Sequence, residues 1–163
     1  MKKLLKLIAV CLIATMAFSF TACAPKAKTF TKLEMSIELN SSFAEKTIIS
    51  QTAYYESKNA IVTALREEFS LLEGVENWSL TEYGEACVSA NGLTGVSVSV
   101  SENGKYSYFV YEKEVNGVNY SYLATCHKTS EAFWLIQFAT FSNKYEKEKE
   151  QFYKYIDSIQ FAN

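Results

Sequence analysis

The 163-residue chain contains one proline, one histidine and one aspartate. A single histidine excludes a His-based metal cluster and a two-His catalytic site within one chain. No polybasic stretch marks the sequence and the formal net charge is -2, so nucleic acid is not an expected partner. With six glycines and one proline the chain is not collagen-like, and 48% hydrophobic against 21% charged residues excludes full disorder. P-loop, dinucleotide, EF-hand and CxxC motifs are absent, as are internal repeats. Gly95-Val96-Ser97-Val98-Ser99 lacks the second glycine of a nucleophile elbow and reads instead as a strand. What the chain has in quantity is aromatic surface. Eleven tyrosines and eleven phenylalanines imply a substantial core, and the length predicts one domain.

Met1 to Lys6 carries three lysines and no acid, and the fourteen residues Leu7 to Phe20 are almost wholly apolar. Such a basic start and short apolar core predict a secretory signal over residues 1–22. Fourteen residues fall short of the roughly 20 needed to span a bilayer. Phe20-Thr21-Ala22-Cys23 resembles the lipobox of bacterial lipoproteins, departing from it at Phe20, where an aliphatic residue is usual. The resemblance implies diacylglycerol on Cys23, with palmitate-type acyl chains, and anchoring at the extracytoplasmic face of the cell membrane. Two acyl chains hold a protein there stably, since each buried methylene contributes about 0.8 kcal/mol. The alternative takes Ala22-Cys23-Ala24 as an ordinary cleavage site and releases a soluble protein. Residues 23–31 are expected to form a tether, with Ala24 to Phe30 reaching at most roughly 25 Å. Lys26, Lys28 and Lys32 either face anionic lipid or are merely solvated. Loss of residues 1–22 leaves 141 residues and moves the net charge to -5.

Within residues 32–163, the expected domain, Asn103-Gly104 and Asn116-Gly117 each lie between alternating apolar runs and predict two-residue hairpin turns. The first register sets Val100, Val98 and Val96 opposite Ser107, Phe109 and Tyr111. The second sets Tyr111, Phe109 and Ser107 opposite Tyr122, Ala124 and Cys126. Both place Val96, Val98, Phe109, Tyr111, Tyr122 and Ala124 on one apolar face. A turn near Lys128-Thr129-Ser130 leads into Ala132 to Ala139, apolar on both faces and so expected to be covered on both sides. Upstream, Leu33, Met35, Ile37 and Leu39 alternate with polar residues as a half-buried strand, and Thr47 to Glu56 reads as another. After Ser57-Lys58-Asn59, residues 60–68 fit a strand, while Ile61, Leu65, Phe69 and Leu72 also fit helical spacing. Ser79-Leu80-Thr81-Glu82 is a capping box opening a helix that runs to Asn91-Gly92. Gly84 inside it costs about 1 kcal/mol unless close packing requires it. A second helix begins after Ser142 or Asn143, with Tyr145, Phe152, Ile156 and Ile159 as its apolar stripe.

These elements resemble the small bacterial lipoproteins with a PsbP-like domain. The resemblance rests on Glu56-Ser57-Lys58-Asn59-Ala60-Ile61-Val62, on Trp78-Ser79-Leu80-Thr81-Glu82-Tyr83, and on the aromatic hairpins. It implies an α+β fold in which an antiparallel sheet of about six to seven strands carries helices on both faces, an α/β/α sandwich. It also implies scaffold, assembly or binding roles more than catalytic ones.

Residues with chemical potential are few. Cys87, on the first helix, and Cys126, on the apolar face, form either a disulfide in an oxidising compartment or two buried free thiols. His127 follows Cys126, but adjacent strand residues point to opposite faces, so it does not readily activate that thiol. Glu112 and Glu114 share a face near a turn, as a carboxylate pair or as solvated edge residues. Tyr106 and Tyr108 share the second face with Ser97, Ser99, Ser101, Ser121 and Thr125. This is either an adaptable recognition surface or a second core covered by a helix. No catalytic, cofactor or metal residues are assigned. The expected function is a membrane-anchored, non-enzymatic binding or accessory module with an unidentified protein or small-molecule partner. The alternatives are a small carboxylate-based enzyme and a carrier of an apolar ligand.

Overall fold

The computed structural model describes residues 26–72 and 74–162. The signal, Cys11, Cys23 and Pro25 lie outside the described residues. The first elements are a hairpin, β1 (Ala27–Lys32) and β2 (Met35–Asn40), with Ala27 opposite Asn40 and Lys32 opposite Met35. Phe30, Met35, Ile37 and Leu39 point inward, and each is at least 95% buried. Leu33, expected in the strand, instead turns the chain with φ 51° and stands 63% exposed. Its place in the alternation is coincidental, because the two-residue loop preserves the odd–even parity. β1 also occupies most of the span expected to be tether. Its sequence AKTFTK offers one inward apolar residue, too little to announce a strand.

The chain continues through β3 (Ala44–Lys46), β4 (Ala53–Glu56) and β5 (Ala60–Glu68). The strand expected over Thr47 to Glu56 is confined to its last four residues. Residues 47–52 loop outward, with Ile49 fully exposed. β5 settles the ambiguity over residues 60–68: it is a strand, with Ala60, Val62 and Ala64 buried and neighbours on both edges. Helix α1 (Leu80–Ala90) begins at the predicted capping box. The Ser79 hydroxyl accepts from the Glu82 amide at 3.2 Å, and the Ser79 amide donates to the Glu82 carboxylate at 2.7 Å. Gly84 is explained by contact, since a Cβ there would lie 2.8 Å from Val98 Cγ1 and 3.1 Å from Ser107 Oγ.

Next come β6 (Ser99–Val100), β7 (Ser107–Val115), β8 (Val118–Lys128) and β9 (Ala132–Phe141). The predicted β7–β8 register is observed in full, and Asn116 and Gly117 both have positive φ, 52° and 79°. At the other hairpin Val100 faces Ser107 as expected, but the turn differs. Only Gly104 has positive φ there, and Ser101 pairs with Tyr106 across a four-residue loop. Two and four have the same parity, so the register survives. The ladder ends at Ser99, so Val96 and Val98 do not pair with Tyr111 and Phe109; they reach the same apolar layer from a loop beneath α1.

Helix α2 (Tyr145–Asp157) and β10 (Gln160–Phe161) complete the chain. Ile159 falls beyond the helix, and Tyr155 joins Tyr145, Phe152 and Ile156 as a buried residue. The large sheet is antiparallel with seven strands in the order β3-β4-β5-β9-β8-β7-β6, and β1, β2 and β10 form a small second sheet. Central β9 is buried on both faces, as apolar residues on both faces predict. On one face, Trp134, Ile136 and Phe138 pack under α2 and the small sheet. On the other, Phe109, Tyr111, Ala124, Phe133 and Leu135 pack under α1.

Candidate functional site

The second core resolves the reading of the tyrosine face. Tyr106 and Tyr108 are half-buried against the layer that α2 covers, and Ser121 and Thr125 are buried. Both tyrosines pack against that layer, because Trp134, Ile136 and Phe138 require a cover and α2 supplies it, and Tyr106 keeps an edge on the cleft beside His127. Glu112 and Glu114 lie on the same face of β7 as Tyr108 but toward its exposed end at the Asn116-Gly117 turn, and the Ser121 hydroxyl donates to Glu112 at 2.9 Å. They are not brought to His127, which stands at the opposite end of β8. Among the described residues, no group of three His, Cys, Asp or Glu side chains is placed to hold a metal ion.

His127 is 6% exposed, packed 5.5 Å from both Tyr106 and Phe161. Thr125 donates its hydroxyl proton to the Ile136 carbonyl at 3.3 Å, so at 3.0 Å it accepts from His127 Nε2–H. Burial lowers the imidazole pKa from 6.5 to about 4, leaving it neutral at physiological pH. It backs a polar cleft of about 160 Å³ lined also by Asn103, Lys105, Tyr106 and Asp157.

A different site forms under α1. Glu67, at the end of β5, and Leu72, Val75 and Trp78, in the segment leading to α1, surround a cavity of about 190 Å³. Tyr83, Ala86, Cys87 and Ala90 close it from the helix. Tyr83 and Cys87 are four residues apart and share the helix face toward the sheet. Tyr83 stacks on Phe133 with ring centroids 4.2 Å apart and donates its hydroxyl to Glu67. Lys128 pins the wall segment by donating to the carbonyls of Glu76, at 2.7 Å, and Trp78, at 2.8 Å. Burial, with the nearby Cys87 and the Glu67 carboxylate, pushes the Tyr83 phenol well above its ordinary value, so it stays a donor. Sequence reasoning named Cys87 but missed Glu67, Leu72 and Val75. The available signal was Trp78 standing directly before a capped helix whose Tyr83 and Cys87 share a face.

The pocket is mainly apolar, open at one side, and about the size of one large side chain. That is below the roughly 300–1,000 Å³ typical of small-molecule sites. No protein-family model matches the chain, and no curated protein matches its sequence. Solved structures do resemble it. Cyanobacterial PsbP (CyanoP) from Synechocystis has a TM-score of 0.53 at 8% identity, over 85% of this chain and 94% of that one. The fold is PsbP-like. The Ran-binding protein Mog1p of Saccharomyces cerevisiae is similar, with TM-score 0.55 and 9% identity over 85% of this chain and 96% of its own. A Bacteroides thetaiotaomicron protein matches with TM-score 0.55 and 12% identity over 83% of this chain. The chain spans about half of that protein, 48%. At these identities the PsbP-like likeness concerns architecture: the seven-stranded sheet with helices on both faces.

Proposed function

We propose that the protein is a lipid-anchored, extracytoplasmic binding module, tethered through Cys23, that holds an apolar side chain of a partner protein in the pocket beneath α1. The carrying observation is that pocket: apolar, open, and sized for a single side chain. A well-packed socket for one anchor residue is how most interface energy is concentrated. Its position suits a tethered protein. β1 starts at Ala27, so residues 24–26 alone separate Cys23 from the sheet, a reach of about 10 Å. The tether meets the Lys26 end of β1. The far end, about 20 Å away, is the Leu33–Glu34 turn, which Arg66 grips through Glu34 at 2.7 Å. Glu67 of the pocket is the next residue along β5, so the pocket lies toward the end of the domain opposite the start of β1. No helix among the described residues is long and apolar enough to cross a membrane.

Two measurements test the reading. Mass spectrometry of the membrane-fraction protein should find diacylglycerol on Cys23, and Cys23→Ala should release the chain; equal release of both forms refutes the anchor. A photo-crosslinking residue at Ala86 should capture one membrane or envelope protein, and Trp78→Ala should abolish the capture. Capture that persists unchanged in Trp78→Ala refutes the socket.

A further inference from the structure

Two buried thiols remain that the binding reading does not use. Cys87 lies on α1 and Cys126 on β8, within one apolar layer. Helix and sheet approach closely there, as the Gly84 contacts with Val98 and Ser107 show. Cys126 is the cross-strand partner of Ser107, and Cys87 is nearly one helical turn past Gly84, so the two thiols lie close together where the helix meets the sheet. Access is unequal. Cys126 is fully buried, whereas Cys87 retains 8% exposure and lines the pocket.

We propose that Cys87 and Cys126 are a redox-active dithiol whose substrate is a small-molecule disulfide entering by the pocket, with Cys87 the attacking and Cys126 the resolving thiol. The hydrogen bond from Cys126 holds the Cys87 thiol below its ordinary range, while the same contact and burial push Cys126 up. The Cys87 sulfur bonds to one sulfur of the disulfide, whose S–S bond breaks, and the departing thiolate takes the Cys87 proton. Cys126 then loses its proton to the second thiolate as it attacks the Cys87 sulfur and displaces the remaining half. Two electrons pass to the small disulfide, leaving two small thiols and a Cys87–Cys126 bond that ties α1 to β8 at the wall of the pocket. This chemistry requires the pocket to be open but does not require a partner protein or a lipid anchor.

The test exposes the reduced full-length chain to 2-hydroxyethyl disulfide, a probe small enough for the pocket, quenches with acid, alkylates, and maps every cysteine by mass spectrometry. Wild type should yield a peptide pair linked through Cys87 and Cys126. Cys126→Ala should retain one hydroxyethylthio group on Cys87, and Cys87→Ala should leave Cys126 unmodified. Ala86→Phe, which adds bulk to the pocket lining, should slow capture at Cys87. Equal alkylation of these cysteines in denaturant, with unchanged circular dichroism, separates lost reactivity from misfolding. A hydroxyethylthio group on Cys126 in Cys87→Ala overturns the assignment of roles. Absence of both the wild-type link and the Cys87 adduct overturns the dithiol, and unchanged speed in Ala86→Phe overturns entry through the pocket.

Discussion

The chain's only histidine makes its acid response assignable to one group. His127 has an ordinary pKa of 6.5 and a folded value of about 4, because burial disfavours the imidazolium. The unfolded chain therefore binds the additional proton between those values, and folding stability falls as pH falls through that window. From about pH 7.5 to about pH 5 the expected loss from this group is about 2 kcal/mol. The neighbouring charges do not reverse the sign: burial alone sets the shift, the Lys128 ammonium is held at the Glu76 and Trp78 carbonyls, and Asp157 is exposed to solvent. Carboxylates contribute at lower pH. Burial raises the Glu34 carboxyl, but hydrogen bonds from Arg66 and Trp134 prevail and hold it below 4.5. Its contribution is therefore fully present at pH 5 and is lost below that. Urea denaturation across the window should show the loss in wild type and a nearly flat profile in His127→Gln. Proton NMR provides a second reading, since one imidazole gives one titrating signal, with a midpoint near 4. A midpoint near 6.5, or equal acid sensitivity in both chains, refutes the claim that burial controls this residue.

Other substitutions probe the architecture. Gly84→Ala gains about 1 kcal/mol of helix propensity but forces a methyl into Val98 and Ser107, an overpacking cost of about 1–3 kcal/mol. A net loss of about 1 kcal/mol is expected in chemical denaturation, and net stabilisation would show that α1 does not sit so close. Ser79→Ala removes the acceptor for the Glu82 amide and should cost about 1 kcal/mol, with faster amide exchange in the first turn of α1. Arg66→Ala removes the charged partner of the Glu34 carboxylate while leaving the Trp134 indole 3.1 Å away, and should cost about 2 kcal/mol because Arg66 is only 10% exposed. Glu68→Ala removes an exposed partner of the same arginine and should cost less than about 0.5 kcal/mol; equal costs would mean that burial is not what gives the Glu34 pair its strength.

The hairpins were legible because local chemistry and long-range pattern agreed. Asn116-Gly117 adopts the positive φ that a two-residue turn requires, and Tyr111 consequently faces Tyr122 with ring centroids 4.6 Å apart. Asn103-Gly104 forms a longer loop, yet its even length preserves the register. β1 and β10 were hidden for a different reason. AKTFTK and Gln160-Phe161 carry almost no periodic signal, and both become strands by pairing with β2. The β-branched run Thr47-Ile48-Ile49 misled in the opposite direction. Propensity favours a strand there, but the chain pairs only at Ala44–Lys46 and loops out beyond. For the site, sequence reasoning singled out two cysteines and two tyrosines. Tertiary packing moved the tyrosines under α2 and gave Cys87 a pocket.

Composition and order by themselves determined several things. One histidine precludes a His-based metal cluster, the capping box fixes where α1 begins, and β9's run, apolar on both faces, demands cover on both sides. These are properties of short windows, set by hydrogen bonding and by the period of side-chain direction. What only the tertiary structure decided is which surfaces remain open. The pocket beneath α1 draws Glu67, Trp78 and Cys87 from three separate segments, and its existence depends on how closely the helix lies against the sheet. That approach is set by a missing side chain at Gly84, whose consequence appears only when Val98 and Ser107 arrive opposite it.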